Sequence, residues 1–224
     1  MFGPALALAR KAARLNKRAA WRAEHDAEVV ATALTARLQA LCGASLGEAR
    51  VLDFGCGYTY PLLVLLRERV GEIVGLEVAP VYRDGALAAV RASGALRRPG
   101  RSAEALLAYA QARRYYRHLE RLTGRTIRHA EYQIVRYKGY ELPFPPASFD
   151  GVVSNAVLQE LPGELSHYAR RIARLLRPGG WIDLEWHNFY SWSGHYLGEE
   201  ESRRRPWGHL LEGRFNPDLN RATP

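Results

Sequence analysis

The chain has 224 residues, of which 47% are hydrophobic and 25% charged, a globular composition that excludes a disordered chain. No apolar run nears the roughly 20 residues that cross a bilayer, and two cysteines, Cys42 and Cys56, make neither a zinc site nor a disulfide framework. The formal net charge is +9, but all but three of the 32 basic residues are arginine, which reads as the drift of a GC-rich genome and a solvated surface before it reads as a nucleic-acid interface.

In chain order, Ala5 to Leu41 is rich in alanine, leucine and arginine with no glycine or proline, so it reads as helix, with a break or bend near Arg22–Asp26. Its apolar start precedes its charges, the reverse of a secretory signal, so the expected location is the cytoplasm. Gly43 stops the helix and closes an N-terminal helical segment, residues 1–45. Ala49–Phe54 is a short apolar run ending in glycines and reads as a buried parallel strand. Pro61 opens a helix through Leu62–Val70, Glu72–Val78 is the second strand, and Val81–Ala92 the next helix. Residues 93–130 form a helical insertion with no strand. Within it Ser102–Leu122 is a helix, capped by Ser102, with Leu106, Tyr109, Ala110, Tyr116 and Leu119 as its stripe. It serves either as a packing helix or as a lid. Strands are read at Tyr132–Tyr137, Phe149–Ser154 and Trp181–Trp186, with a helix at Glu164–Leu176 before the last. Alternating strands and helices predict an α/β, doubly wound, Rossmann-like parallel sheet over residues 46–188.

Ligands of such sheets bind beyond the carboxyl ends of the strands. The first such loop reads Asp53-Phe54-Gly55-Cys56-Gly57-Tyr58, and Glu77 ends the second strand twenty residues after Gly57. Glycines admit close backbone approach, and an acid at Glu77 suits both hydroxyls of an adenosine ribose. A dinucleotide site needs a third glycine where Tyr60 stands, and Asp53 would repel a pyrophosphate while suiting an ammonium. That charge preference favours S-adenosylmethionine over NAD. Both acids are expected to face the loop, partly exposed.

Four segments carry a resemblance. VLDFGCGYTYP resembles the first motif of class I S-adenosylmethionine-dependent methyltransferases, and GLEVAP their ribose-binding strand. YELPFPPASFDGVVSNAVLQELP is similar to the type 11 group, and ARLLRPGGWIDLEW to the segment leading into their fifth strand. The resemblance covers roughly residues 46–187 and implies a sheet of order 3-2-1-4-5. Carried over position by position, it implies cofactor contacts at Asp53, Gly55, Cys56, Gly57, Tyr58, Glu77, Val78, Gly139, Tyr140, Asn155 and Ala156. Three departures stand out. Thr59 replaces a glycine and must keep negative φ or tilt outward. Lys138 replaces an acid near the adenine, and Gln159-Glu160 replaces a Glu-His pair.

The candidate general bases are His187 and Glu160, each just past a strand end, with structural roles as the plainer alternatives. Residues 189–224 form an aromatic and arginine-rich tail, in which Tyr190, His195 and His209 are candidate substrate contacts. The expected activity is methyl transfer to oxygen or nitrogen of a metabolite, sugar or lipid headgroup. An RNA methyltransferase and a non-catalytic cofactor-binding protein are the alternatives. The family usually ends on an antiparallel hairpin, for which the tail offers no strand pair. Thr223-Pro224 reads as a helix start, so the expectation is a truncated chain with an exposed, self-associating fifth strand, unless the tail folds back over it.

Overall fold

The computed structural model describes residues 3–92, 99–137, 142–157 and 165–185. Five strands form one parallel sheet: β1 (Arg50–Phe54), β2 (Glu72–Glu77), β3 (Gln133–Arg136), β4 (Phe149–Asn155) and β5 (Leu176–Glu185). Their order is β3-β2-β1-β4-β5, as the resemblance implies, so the chain reverses direction across the sheet between β1 and β4. β1 sits at the centre, pairing Val51–Asp53 with β4 and Arg50–Phe54 with β2. Both its faces are covered, which is why its sequence is a nearly continuous apolar run. Leu52, Phe54, Val74, Leu76 and Phe149 pack on one face with Ile172 and Leu175 of α6 (Leu165–Leu175). Val51, Ile73 and Val153 pack on the other with the N-terminal and inserted helices.

The N-terminal helix does not break near residues 22–26. Helix α1 runs unbroken from Gly3 to Val29 and passes through one π turn, Val30–Leu34, into α2 (Thr35–Cys42). The Arg22–Asp26 ion pair at 3.6 Å supports helix at the stretch that reads as a bend. The turn has a packing cause. Ala19, Ala23, Ala27, Val30, Leu34 and Leu38 all face the core. At about 100° per residue this spacing would carry the stripe roughly 100° round a regular helix. One extra residue taken up in a π turn restores it.

Other boundaries move by a few residues. Helix α3 is Pro61–Leu66, shorter than predicted, and a 3₁₀ turn at Tyr82–Asp84 precedes α4 (Gly85–Ala92). Strand β5 begins at Leu176 through an irregular stretch, pairing Phe149 with Leu176 and then Gly151 with Trp181. Trp181 is buried in the core. Residues beyond 185, including the tail and any closing hairpin, lie outside the described residues.

The insertion helix α5 begins earlier than predicted, at Pro99, and runs to Thr123. Leu106 is 51% exposed and drops out of the predicted stripe; Ala112, Tyr115, Tyr116 and Leu119 form the buried face instead. Antiparallel to α1, this face joins the main core, with His118 meeting Asn16 and Tyr115 meeting Asp26. Such burial favours the packing-helix reading over the lid. Amides of residues 112–119 are therefore expected to exchange slowly in the ligand-free protein, with no further slowing when a ligand is added. Rapid exchange there before ligand addition would restore the lid.

Candidate functional site

Three strand ends converge beside the topological switch. The turn after β1 folds back over β2, where the amides of Gly55 and Cys56 both donate to the Leu76 carbonyl, at 2.9 and 3.1 Å. Gly57 then donates its N–H to Glu77 Oε2 at 2.8 Å. Glu77 Oε1 accepts the N–H groups of Val78 and Ala79, at 2.8 and 3.1 Å. One carboxylate thus ties the β1 turn to the loop after β2. Gly57 has φ +72° with open space where a Cβ would stand, and Gly55, at φ +80°, lies against Val157. Only glycine takes both positions without strain or collision.

Thr59 keeps out of the left-handed region, and Tyr60 enters it in its place, at φ +31°. That conformation costs a residue other than glycine about 1–2 kcal/mol. Several contacts hold it. Tyr60 is fully buried, its hydroxyl is 2.6 Å from His129 Nδ1, and its ring packs on Tyr116 and Tyr132. Thr59, also buried, accepts from the Tyr116 hydroxyl at its carbonyl (2.7 Å) and from Arg22 Nη2 at its Oγ1 (3.2 Å). The residue that departs from the family's glycine is the one that α1 and α5 both grip.

Asp53 corrects an expectation. It is 1% exposed, not partly exposed, and its Oδ2 has no hydrogen-bond partner. Burial, and then the Glu77 charge, push its pKa up to about 8. Cys56 is buried beside it with a raised thiol pKa, the first cause again being burial, and its sulfur lies over Gly75.

A cleft of about 440 Å³ opens in front of these groups. One wall is Asp53, Gly55, Cys56, Gly57 and Thr59, with Asn155, Ala156 and Glu185 at the ends of β4 and β5. The opposite wall is α1: Arg22, His25, Asp26 and Val29. Sequence reasoning missed these four, although spacings of i, i+3, i+4 and i+7 put them on one helix face. The signal was the polar cluster in an otherwise alanine- and leucine-rich helix, which reads as a bend when taken alone. Arg22 bridges Asp26, which also accepts from the Tyr115 hydroxyl at 2.7 Å. His25 stacks on Trp21, with ring centroids 5.3 Å apart.

Of the predicted site residues, Asp53, Gly55, Cys56, Gly57, Asn155 and Ala156 meet at this cleft. Glu77 adjoins it through Gly57, and Val78 lies exposed beyond it. Tyr58 packs edge-on against Tyr82, its buried hydroxyl without a partner. Gly139, Tyr140, Lys138, Glu160 and His187, and the tail positions Tyr190, His195 and His209, lie outside the described residues. Among the described residues no cluster of His, Cys, Asp and Glu could hold a metal, and no helix is long and apolar enough to cross a membrane.

Two measurements test this geometry. Tyr116→Phe leaves the Thr59 carbonyl without its donor. It should cost about 1 kcal/mol, lowering Tm by about 2–4 °C, and speed amide exchange at residues 57–60. Asp53 sets a pH dependence. Its folded pKa lies above the unfolded value of 3.8, so between these two values the folded state holds a proton that the unfolded state has released. This group therefore lowers stability as pH rises from about 4 to 8. Tm of Asp53→Asn should lack that component, and a pH–Tm profile identical to wild type would contradict the burial of an unpaired acid.

Residues 22–216 match a family described as a methyltransferase domain. No curated protein matches the chain. Solved structures similar to it include a 4+2 cyclase, 22% identical, covering 67% of this chain and 43% of its own, with TM-score 0.39. An S-adenosylmethionine-dependent methyltransferase from Mesorhizobium loti is 20% identical over 65% of this chain and 50% of its own, with TM-score 0.36. A sugar N-methyltransferase from a Streptoalloteichus species is 17% identical over 74% and 49%, with TM-score 0.40. The chain spans about half the length of these structures.

Proposed function

We propose, for a chain that belongs to the methyltransferase domain family and whose methyl donor is S-adenosylmethionine, transfer of that methyl group to a small-molecule acceptor bound under α1. The observation that carries this reading is Asp53: a buried carboxylate with an unpartnered oxygen, at the head of a glycine turn whose outer face is open. Such an orphan is costly unless a cation completes it. The cofactor's methionine ammonium fits that need.

The remaining roles come from position. Gly55 and Gly57 let the backbone come close to the ligand. Cys56 contributes main chain, since its sulfur faces Gly75. Glu77 takes the ribose hydroxyls, sharing a carboxylate already aimed by three N–H groups. Val78, exposed at the end of β2, offers an apolar surface to the adenine, with Tyr58 behind the turn. Asn155 and Ala156 close the cleft from β4. The bound cofactor supplies a methyl group already activated on a sulfonium. The protein's task is alignment of the acceptor with it and exclusion of water.

A small acceptor is favoured over RNA by charge. The chain is net +9, but the cleft wall carries the charges of Asp26 and Glu185 against a single arginine, Arg22. A phosphate backbone would meet repulsion at the reacting end.

Calorimetry with S-adenosylhomocysteine, paired with a transfer screen using labelled S-adenosylmethionine, tests the reading. Wild type should bind, and Glu77→Ala should lose affinity about tenfold or more, since hydrogen bonds to a charged group are worth roughly 1.5–3 kcal/mol. Glu77→Gln keeps an acceptor and should fall between them. Unchanged affinity in Glu77→Ala, or no transfer to any acceptor in the screen, would overturn the proposal.

A further inference from the structure

The cleft holds more acid than the cofactor needs. Asp53 and Glu77 serve the proposed cofactor site, and Asp26 is matched by Arg22 and the Tyr115 hydroxyl. Glu185 is left over. Its nearest cation is Arg37 of α2, which is engaged mainly by Asp183: Nε and Nη2 reach the Asp183 oxygens at 3.2 and 3.1 Å. Only the longer Nη2 contact, 3.4 Å, reaches Glu185 Oε2. The three groups together keep one negative charge. Among the described residues, nothing bonds to Glu185 Oε1.

Strand register then gives Glu185 a neighbour. Glu185 pairs with Asn155 across β4 and β5, and paired residues in a sheet project their side chains to the same face. The Ala156 N–H donates to the Glu185 carbonyl at 2.7 Å, which locks the two strand ends together. Ala156 takes a left-handed conformation there, φ +56°, immediately after Asn155. A carboxylate and a carboxamide therefore stand side by side on one wall of the cleft, offering acceptor atoms and net negative charge. His25, held flat against Trp21, stands on the opposite wall. A second acid, the buried Asp53, lines the same cleft with an unpartnered oxygen. No wall residue among the described ones offers an uncommitted arginine or lysine to an anion.

We infer that the methyl acceptor is an amine that enters the cleft as an ammonium, held by Glu185 and Asn155 at the ends of β5 and β4. The inference rests on the proposed methyltransferase reading and deepens it. An ammonium donates hydrogen bonds and carries positive charge, and this wall supplies acceptors and negative charge. An alcohol would gain only the hydrogen bonds, and a carboxylate or phosphate would be repelled. Before reacting, the ammonium gives one proton to His25. The freed lone pair then takes the methyl carbon, a C–N bond forming as the C–S bond breaks and the sulfonium leaves as a neutral thioether.

The test uses the full chain saturated with S-adenosylhomocysteine and three probes that share a ring: phenethylamine, 2-phenylethanol and phenylacetate. Affinities are read by ligand-observed NMR titration. Phenethylamine should bind tightest, and Glu185→Gln should weaken it roughly tenfold, a moderate loss because Glu185 is 58% exposed. The same variant should leave 2-phenylethanol and S-adenosylhomocysteine affinities unchanged, so a folded and loaded site is established alongside. Arg37→Gln, which frees Glu185, should strengthen phenethylamine binding. Equal binding of the three probes, or an unchanged amine affinity in Glu185→Gln with the nucleoside still bound, overturns the amine assignment alone. Failure of the wild-type protein to bind S-adenosylhomocysteine overturns the methyltransferase reading, and the assignment with it.

Discussion

The Gly57 amide and the Glu77 carboxylate, 2.8 Å apart, join the ends of the two central strands, and the cleft depends on that join. A chain leaving a buried parallel strand has its backbone hydrogen bonds satisfied up to the last residue and must find new partners at once. Here Leu76 takes two amides on one carbonyl and Glu77 takes three more through its side chain. β2 thereby works as the template on which the β1 turn is cast. The turn can then hold two glycines and a tyrosine in left-handed conformations, because each is pinned from outside. Pinning from α1 through Arg22, and from α5 through Tyr116, makes both helices parts of the site.

The buried parallel strands were legible because a strand covered on both faces is apolar along most of its length, as β1, β2 and β4 are, and their order was what the resemblance implied. The glycine turn and Glu77 were legible for the same reason that they matter: their spacing is that of one strand, one helix and one strand. Two things were not legible. Asp53 reads as exposed because acids usually are, and its burial depends on the elements that assemble around the end of β1, a long-range fact that no local window contains. The cleft face of α1 reads as a bend because polar residues in a helix look like an interruption until the surface they face is known. Thr59 lies between these cases. Its departure from glycine was visible, but the solution, passing the left-handed conformation one residue on to Tyr60, needed His129 and Tyr132, some seventy residues away in the chain.

Charge in this molecule is organised at two scales. Arg113, Arg117 and Arg121 lie exposed at four-residue intervals along α5, and like charges so spaced weaken a helix slightly. The outer surface is thus broadly positive, as the composition requires. Inside the cleft the sign reverses, and the reversal is local: it arises from Asp26 and Glu185, which come from separate segments and have no common sequence pattern. Bulk charge reports on what the surface drifts toward in solution. The few charged residues that line the cleft bear on the proposed acceptor, and they differ in sign from the surface.

The π turn at Val30–Leu34 carries a consequence for how this protein tolerates change. Because it stores one surplus residue, it keeps the helix faces before and after it in phase despite the uneven count. Deleting a single residue between positions 30 and 34 would convert the turn to regular helix and leave Arg22, His25 and Asp26 facing the strand ends, whereas inserting one would add a second surplus residue and swing them by about 100°. Relatives of this chain that keep the cleft should therefore tolerate loss of one residue in this five-residue window, as a regular helix, but not gain of one.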